Sequence, residues 1–437
     1  MTPRRPPPDR LSAHDTLYLA SSSASLPLTG AGLFRVGRNA EGEVLTVERL
    51  HAHLAERLDL LPRFRQVVRP FPARLAAPTW VDDRGFALER HVTATTVPEP
   101  GGRLELESTV ARLNDRALDP RHPLWQAHVL DGLADGETAM LMRWHHAMVD
   151  GMSAVHAVRV LLDGVSPVVT TRDRAADLGD AEPERSAVQK TESLEGWVSL
   201  LRASAGRPRF KPGTGRTRWA MAALPERKLR AVARGLGASL NEVVAALAAA
   251  AVARVLAARG DARSNDSVRT LVPIVLPSSS RNRGLGNRGA FFVTHLPVSP
   301  MDDGDRVAGV VEAMRRGRSS GQVEALGRGI ERLEGAPVPL ILLFARLAGV
   351  TGAGEAGAID LIVSFMPGPR RALHLAGFPI EAAFPVLPIG PRARLGVGAV
   401  SLGGVVGIGV TAGTDVIPEL HLFVRGVVAA ARRLGVS

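Results

Sequence analysis

The stretch Arg143-Trp144-His145-His146-Ala147-Met148-Val149-Asp150-Gly151-Met152-Ser153 decides how this chain of 437 residues is organised. Residues 138–144 just before the histidines predict a strand, which follows the turn-like 131–136 and should pair with 125–130 as a hairpin. Residues 152–163 predict a helix, because apolar side chains recur there every three to four residues. The two histidines therefore stand where a strand passes into a helix, and such a junction can hold a side chain at the mouth of a cleft.

The side chains of His145 and His146 are expected to point in opposite directions, because successive residues of a strand face opposite sides of its sheet. This argues against a metal site built from both histidines, which on a strand would need to be two residues apart. The chain also has no cysteine to complete a zinc site. A single neutral imidazole can instead act as a general base that takes a proton from a hydroxyl or thiol during attack on an acyl group.

Asp150 and Gly151 complete the pattern. An ion pair between Asp150 and an arginine would fix the turn, or the carboxylate would hold the tautomer of a histidine, and Gly151 would permit a tight backbone. The alternative is a core histidine followed by an ordinary Asp-Gly turn. The complete seven-residue pattern favours a functional site over that alternative.

His145-His146-x-x-x-Asp150-Gly151 is the signature of the condensing acyltransferases related to chloramphenicol acetyltransferase. Within that superfamily, the chain resembles the bacterial wax ester synthase/diacylglycerol acyltransferases almost from end to end. The resemblance also rests on Leu11-Ser12-Ala13-His14-Asp15, Leu118-Asp119-Pro120-Arg121-His122-Pro123-Leu124-Trp125, Leu271-Val272-Pro273, Gly286-Asn287 and Met366-Pro367-Gly368-Pro369.

Three segments in the second half depart from the pattern of that family. The usual Asn-Asp is Asn241-Glu242, the usual Ser-Asn-Val-Pro-Gly-Pro is Ser364-Phe365-Met366-Pro367-Gly368-Pro369, and the usual Ser-Tyr-Asp-Gly is Ser401-Leu402-Gly403-Gly404. Each departure removes or moves a polar group, so it bears on the acceptor and leaves the base in place. Because Glu242 follows Ser239 by three residues, a helix capping box explains the first departure as readily as a functional role does.

The resemblance implies an α/β protein of two chloramphenicol-acetyltransferase-like domains with mixed sheets and an active site at the cleft between them. It implies an acyl-CoA-dependent O-acyltransferase that esterifies a long-chain alcohol or diacylglycerol, in wax ester or triacylglycerol synthesis. Acyl-CoA would be a substrate, and neither a cofactor nor a metal is implied. The implied catalytic residues are His146 as the base with His145, Asp150 and Gly151, and the implied substrate-binding residues are Asn241, Pro123, Leu124, Trp125 and Ser364.

Composition divides the chain at a charged segment that contains Pro and Gly. Residues 1–167 predict an N-terminal acyltransferase domain with the motif, 168–218 an interdomain linker, and 219–437 a C-terminal acyltransferase-like domain. Within these parts, periodicity predicts helices at 47–61, 239–259 and 418–434, and extended segments at 79–81, 86–92, 268–276, 290–298, 359–364, 380–386, 394–401 and 405–411.

The composition also limits the partners. The net charge of +11 favours an anionic lipid surface or the phosphates of coenzyme A. Nucleic acid is disfavoured, because aromatic residues make up only 4% of the chain and include one tyrosine. The absence of cysteine fits a reducing compartment. The longest apolar runs fall short of the ~20 residues that span a bilayer, so we expect a cytoplasmic protein, either free or peripheral to the inner face of the membrane or to lipid inclusions.

Two other functions stay open from the sequence. A non-catalytic lipid-binding or regulatory relative would keep the fold and tolerate the changes at Phe365 and Gly403. A condensation-type enzyme would act on another hydroxyl or amine acceptor with a carrier-protein thioester as donor. The block Pro123-Leu124-Trp125 disfavours the second alternative.

Overall fold

The computed structural model describes the chain except residues 1–8, 24–26, 70–77, 150, 164–193, 206–207, 211–214, 263–265, 276–286, 288, 335, 348–358, 370–371, 390–392 and 437. The strands are β1 (Asp9–Arg10), β2 (Thr29–Val36), β3 (Gln66–Arg69), β4 (Thr79–Asp82), β5 (Val92–Thr96), β6 (Trp125–Asp131), β7 (Thr138–His145), β8 (Thr217–Pro225), β9 (Ser267–Val275), β10 (Gly289–Pro297), β11 (Ile359–Met366), β12 (Leu373–Leu375), β13 (Phe378–Val386), β14 (Ala393–Leu402) and β15 (Val405–Gly413). The helices are α1 (Ala13–Ser21), α2 (Val47–Arg57), α3 (Arg103–Asn114), α4 (Gly151–Leu161), α5 (Leu194–Ala203), α6 (Glu226–Gly235), α7 (Leu240–Ala258), α8 (Asp303–Arg318), α9 (Gln322–Glu331), α10 (Val338–Leu347) and α11 (Leu420–Arg433).

The first large sheet has the order β12-β13-β2-β7-β6-β5 and carries the histidine pair at the end of β7. Strand β7 pairs antiparallel with β6 and with β2, which confirms the predicted hairpin, whereas β5 runs parallel to β6. Because β7 has a neighbour on each side, the backbone that leads to the histidines is fixed by two ladders of hydrogen bonds. Strands β1, β4 and β3 form a separate small sheet in that order.

The second large sheet has the order β10-β9-β11-β14-β15-β8. Strand β11 runs parallel to both β9 and β14, and the other pairs are antiparallel, so this sheet is mixed. Helix α7 forms the centre of its hydrophobic core. It is also the one described helix that is long and apolar enough to cross a membrane, but 78% of its apolar stretch is buried inside the protein.

The predicted domain division does not match the sheets. Strands β12 and β13 come from the C-terminal half of the sequence, yet they extend the first sheet, where β13 pairs with β2. Strand β8 begins at Thr217, inside the predicted linker, and belongs to the second sheet. Residues 373–386, which the sequence places in the C-terminal domain, thus extend the sheet of the N-terminal half, because hydrophobic alternation predicts a strand without identifying its partner. Most of the predicted linker lies outside the described residues.

Two further local predictions have different outcomes. The extended segment predicted at 86–92 is wrong, because a 3-10 turn at Leu88–Arg90 precedes β5 and lets the ring of His91 stack on Trp125. The capping box of α7 is confirmed. Ser239 and Glu242 exchange side-chain and backbone hydrogen bonds, and Glu242 also forms a 3.1 Å ion pair with Arg318. The departure from Asn-Asp to Asn241-Glu242 thus has a structural explanation.

Glycines let β13 cross β15 with the two backbones in contact. A Cβ atom on Gly407 would lie 1.9 Å from the carbonyl oxygen of Ala383, and one on Gly409 would lie 1.8 Å from that of Pro385. No side chain fits at such distances, so only glycine permits this approach. The contact joins the first sheet to the second, since β13 belongs to one and β15 to the other.

Candidate functional site

A cavity of about 680 Å³ is lined by residues of both large sheets and of helices α1, α4 and α5. The first sheet contributes Gly30, Phe34 and Trp144 to its wall, and the second contributes Leu271 and Ile362. Most of the lining side chains are apolar, and the imidazole of His146 is one of the few polar groups among the described residues there. An apolar cavity with few polar groups is typical of a site for an apolar ligand.

The histidine pair divides as the sequence predicts, although β7 ends at His145 and the next residue begins a turn. Trp144 and His146 line the cavity, whereas His145 is 5% exposed and points into the protein. The backbone N–H of His146 donates to the carbonyl of Leu28, and that of Met148 donates to the carbonyl of His145. These bonds fix the turn that presents the imidazole of His146 to the cavity.

His145 stabilises the turn from the buried side. Its Nδ1 atom accepts a hydrogen bond from the backbone N–H of Ala147 at 3.0 Å, which places the proton of the neutral ring on Nε2. Burial, and secondarily the neighbouring His146, lower the pKa of His145 to about 4. The ring is therefore neutral at physiological pH and acts as a hydrogen-bond acceptor within the turn.

This lowered pKa predicts a pH dependence of stability. The unfolded chain binds a proton at His145 below its ordinary pKa of 6.5, so the contribution of the neutral ring is complete above that pH and is lost as pH falls to about 4. In His145→Asn, the amide oxygen can accept from Ala147 without titrating. The difference in unfolding free energy between wild type and this variant should therefore shrink on acidification, by at most about 1.4 kcal/mol per pH unit. Urea titrations at pH 7.5, 6 and 5 measure it, and a constant difference contradicts the assignment.

Two groups from distant parts of the sequence hold His146. The ring of Tyr18 stacks on the imidazole, with 4.0 Å between centroids and 17° between planes. The side-chain amide of Asn287 donates to the backbone carbonyl of His146 at 2.6 Å and to Asp15 Oδ1 at 2.6 Å. Burial raises the pKa of Asp15, although the hydrogen bonds from Asn287 and Ser12 oppose that shift. Asp15 and Asn287 are buried, and together they connect helix α1 to the backbone of His146.

Some of the predicted site residues meet at the cavity. Gly151 begins α4 on its wall, and a Cβ atom there would lie 3.1 Å from the sulfur of Met366. Ser364 and Phe365 also line it, so one of the departures from the family pattern faces the cavity. Asp150 lies outside the described residues, and its predicted role stays a prediction.

Other predicted residues lie elsewhere. Among the described residues of the cavity wall, neither Asn241 nor the block 123–125 is present. Asn241 lies in the first turn of α7. The carbonyl of Leu124 accepts from the N–H of His145 at 2.9 Å, and Trp125 is fully buried with its Nε1 donating to Phe64. This block therefore supports the strand end beneath the histidines.

Tyr18, Asp15 and Asn287 have no predicted role in the sequence. Asp15 and Asn287 belong to segments that resemble the family, and Tyr18 is the sole tyrosine of the chain, three residues after that aspartate. The one available signal is a lone aromatic residue next to such a segment. Its contact with His146 depends on the tertiary structure.

The family model of the wax ester synthase/diacylglycerol acyltransferase catalytic domain matches residues 11–299, and that of the WS/DGAT C-terminal domain matches 285–434. A Mycobacterium tuberculosis protein named as a probable diacylglycerol O-acyltransferase, tgs1, is 29% identical over 419 residues, which cover 90% of this chain and 89% of the relative. The solved wax ester synthase/diacylglycerol acyltransferase from Marinobacter aquaeolei VT8 has a TM-score of 0.69 and 21% identity, covering 98% of this chain and 100% of its own. The first condensation domain of the CDA synthetase has a TM-score of 0.59 and 17% identity, covering 98% and 96%. The expected two-domain acyltransferase fold with mixed sheets is thereby confirmed.

Proposed function

The chain belongs to the wax ester synthase/diacylglycerol acyltransferase family and is an acyltransferase, and from that premise we propose that His146 is its general base. The observation that carries the proposal is the position of this imidazole, on the wall of an apolar cavity lined by both sheets and fixed by Asn287 and Tyr18. The substrates are acyl-CoA and a long-chain alcohol or diacylglycerol, and the reaction takes place at a cleft between the two domains.

The reaction needs one base and no covalent enzyme intermediate. The imidazole of His146 takes the proton of the acceptor hydroxyl, and the oxygen attacks the carbonyl carbon of the acyl thioester. The new C–O bond forms, the C–S bond breaks, and the imidazolium returns its proton to the departing thiolate. The products are an ester and the free thiol of coenzyme A. His145 is not suited to this role, because its Nδ1 is engaged by Ala147 and its ring is buried.

The lining of the cavity favours an apolar acceptor. Phe365 and Met366 occupy positions where the family pattern has Asn-Val, and both face the cavity. An aromatic ring in place of an amide removes a hydrogen-bonding group from the wall and adds apolar surface. A fatty alcohol or the acyl chains of diacylglycerol would bury against such a wall at a gain of about 25 cal/mol per Å² of apolar surface.

The experiment is an ester-forming assay with purified protein, labelled palmitoyl-CoA, and either hexadecanol or dipalmitoylglycerol. Formation of labelled wax ester or triacylglycerol, with release of free coenzyme A, supports the proposal. Saturable binding of palmitoyl-CoA without ester from either acceptor would indicate a lipid-binding protein. Ester or amide formation only from a carrier-protein thioester would indicate a condensation-type enzyme.

The acceptors of this reaction reside in lipid, so we propose that the protein works in the cytoplasm at the inner face of the membrane or on lipid inclusions. Helices α5 and α10 each place a leucine on the cavity wall and another towards solvent. Leu200 and Leu342 line the cavity, while Leu201 and Leu343 are 56% and 52% exposed. These helices offer an apolar surface beside the site, and the net charge of +11 favours anionic lipid.

We expect association with anionic liposomes that weakens with salt, because exposed charges are screened over a Debye length of about 10 Å at 0.1 M ionic strength. Flotation with phosphatidylglycerol vesicles at 20 mM and 500 mM NaCl measures it, with phosphatidylcholine vesicles as the control. Equal recovery in the soluble fraction in all conditions would refute this expectation.

A further inference from the structure

Helix α1 places an aromatic ring directly over the base. Tyr18 stacks on His146 at 4.0 Å and lines the cavity. One turn earlier on the same helix, the ring of His14 stacks on the ring of Tyr18, with 5.9 Å between their centroids and 21° between their planes. Three rings thus form a column that ends at the imidazole of His146.

The helix that carries Tyr18 is held at its first turn by residues of the second half of the chain. The carboxylate of Glu334 accepts from the backbone N–H of Ala13 at 3.2 and 3.3 Å. Asp15 Oδ1 accepts from both the backbone and the side-chain N–H groups of Asn287. Ser12 caps the helix by accepting from Asp15 N–H at 3.0 Å. The ring of Tyr18 therefore stands on a fixed support.

The same support reaches the backbone of the base. Asn287, which is bound by Asp15, donates to the carbonyl of His146. Asn287 thus holds the peptide of His146, and Tyr18 covers its ring. Both contacts depend on α1, which contains Tyr18 and the Asp15 that binds Asn287. The stacked ring limits the rotations open to the imidazole from one side, and the hydrogen bond limits movement of its peptide.

We propose that Tyr18 is a positioning residue for the reaction: its ring holds the imidazole of His146 in the plane that presents the base to the acceptor hydroxyl. The proposal rests on the proposed function of His146. General-base catalysis requires a heavy-atom distance of about 2.6–3.2 Å, and a misplacement of about 1 Å can cost about 100-fold in rate. The aromatic face also attracts the imidazolium that forms when the proton is taken. Both effects depend on the aromatic ring, which phenylalanine also has.

The test compares Tyr18→Phe with Tyr18→Leu in the palmitoyl-CoA and hexadecanol assay, with melting temperatures to verify folding. The phenylalanine variant keeps the stacked ring and should retain kcat within about three-fold. The leucine variant keeps apolar volume without a ring, and its kcat should fall about ten-fold or more while KM for both substrates changes less than about two-fold. If the leucine variant does not fold, Tyr18→Met, which is flexible and similar in volume, takes its place.

Three outcomes overturn the proposal: a leucine variant with kcat within two-fold of wild type, a loss that appears in KM, or a phenylalanine variant as impaired as the leucine variant. The same substitutions in a His146→Ala background separate this proposal from the one on which it rests. If Tyr18 acts through His146, Tyr18→Leu has no further effect once the imidazole is gone. A fully active His146→Ala protein refutes the proposed function itself. A His146→Ala protein with strongly reduced kcat, which Tyr18→Leu lowers about ten-fold further, refutes only the positioning role.

Discussion

His146→Ala is expected to lower kcat for ester formation about 100- to 10,000-fold, which is the usual contribution of a general base. The imidazole is half-buried on the cavity wall, where it stacks on Tyr18, and the backbone N–H and carbonyl of this residue form hydrogen bonds that alanine retains. Folding and the binding of palmitoyl-CoA should therefore change little. The measurements are kcat with hexadecanol as acceptor, the melting temperature, and the dissociation constant of palmitoyl-CoA.

The matched control is His145→Ala, which removes the same side chain one residue earlier. Alanine there leaves the N–H of Ala147 without its acceptor and empties a buried position, so the loss should appear in the melting temperature. Its kcat should fall less than that of His146→Ala. A fully active His146→Ala enzyme, or a larger loss of kcat in His145→Ala, would mean that the base is assigned to the wrong residue.

Local patterns were sufficient to predict much of the frame around this site. The hairpin of β6 and β7, helix α4 and the capping box of α7 each depend on residues close in sequence, where alternation, helical spacing and capping chemistry act directly. The opposite directions of the His145 and His146 side chains follow from strand alternation. This alternation continues to His146, although β7 ends at His145.

Contacts between distant residues could not be predicted in this way. Asn287 reaches Asp15 across 272 positions of the sequence. Strand β13 joins β2 in the first sheet although most of the chain lies between them. Such pairings depend on how complete elements pack, and no short-range pattern encodes them. For the same reason, the ring contact between Tyr18 and His146 became visible only in the structure.

The motif residues also show a limit of reasoning from resemblance. Trp125 belongs to a block expected to bind substrate, yet its side chain is fully buried and donates to the carbonyl of Phe64. A residue that belongs to a family motif can stabilise the backbone around a site as well as contact a ligand. Leu124 lies directly before β6, and its carbonyl accepts a hydrogen bond from the backbone N–H of His145 at the end of β7. The block therefore contributes to the position of the histidines without lining the cavity.

The crossing of β13 over β15 predicts the largest loss of stability. A Cβ atom at Gly409 would lie 1.8 Å from the carbonyl oxygen of Pro385 and 2.9 Å from Nε1 of Trp219. These two atoms share a buried hydrogen bond of 3.1 Å, so a methyl group at Gly409 must push the strands apart and disrupt that bond. Overpacking and a lost buried hydrogen bond each cost about 1–3 kcal/mol, and we expect Gly409→Ala to lower the free energy of unfolding by about 3 kcal/mol or more.

Gly235→Ala is the matched control, because it makes the same chemical change at an exposed helix end where a Cβ atom would have no neighbour within 4 Å. Alanine there should be neutral or stabilise by up to about 1 kcal/mol through its helix propensity. Urea unfolding and melting temperatures of both variants decide the matter. The crossing joins the two sheets that line the cavity. Gly409→Ala should therefore also lower the rate of ester formation, whereas Gly235→Ala should retain it. Equal stability of the two variants would show that the backbones of β13 and β15 do not meet as closely as the structure has them.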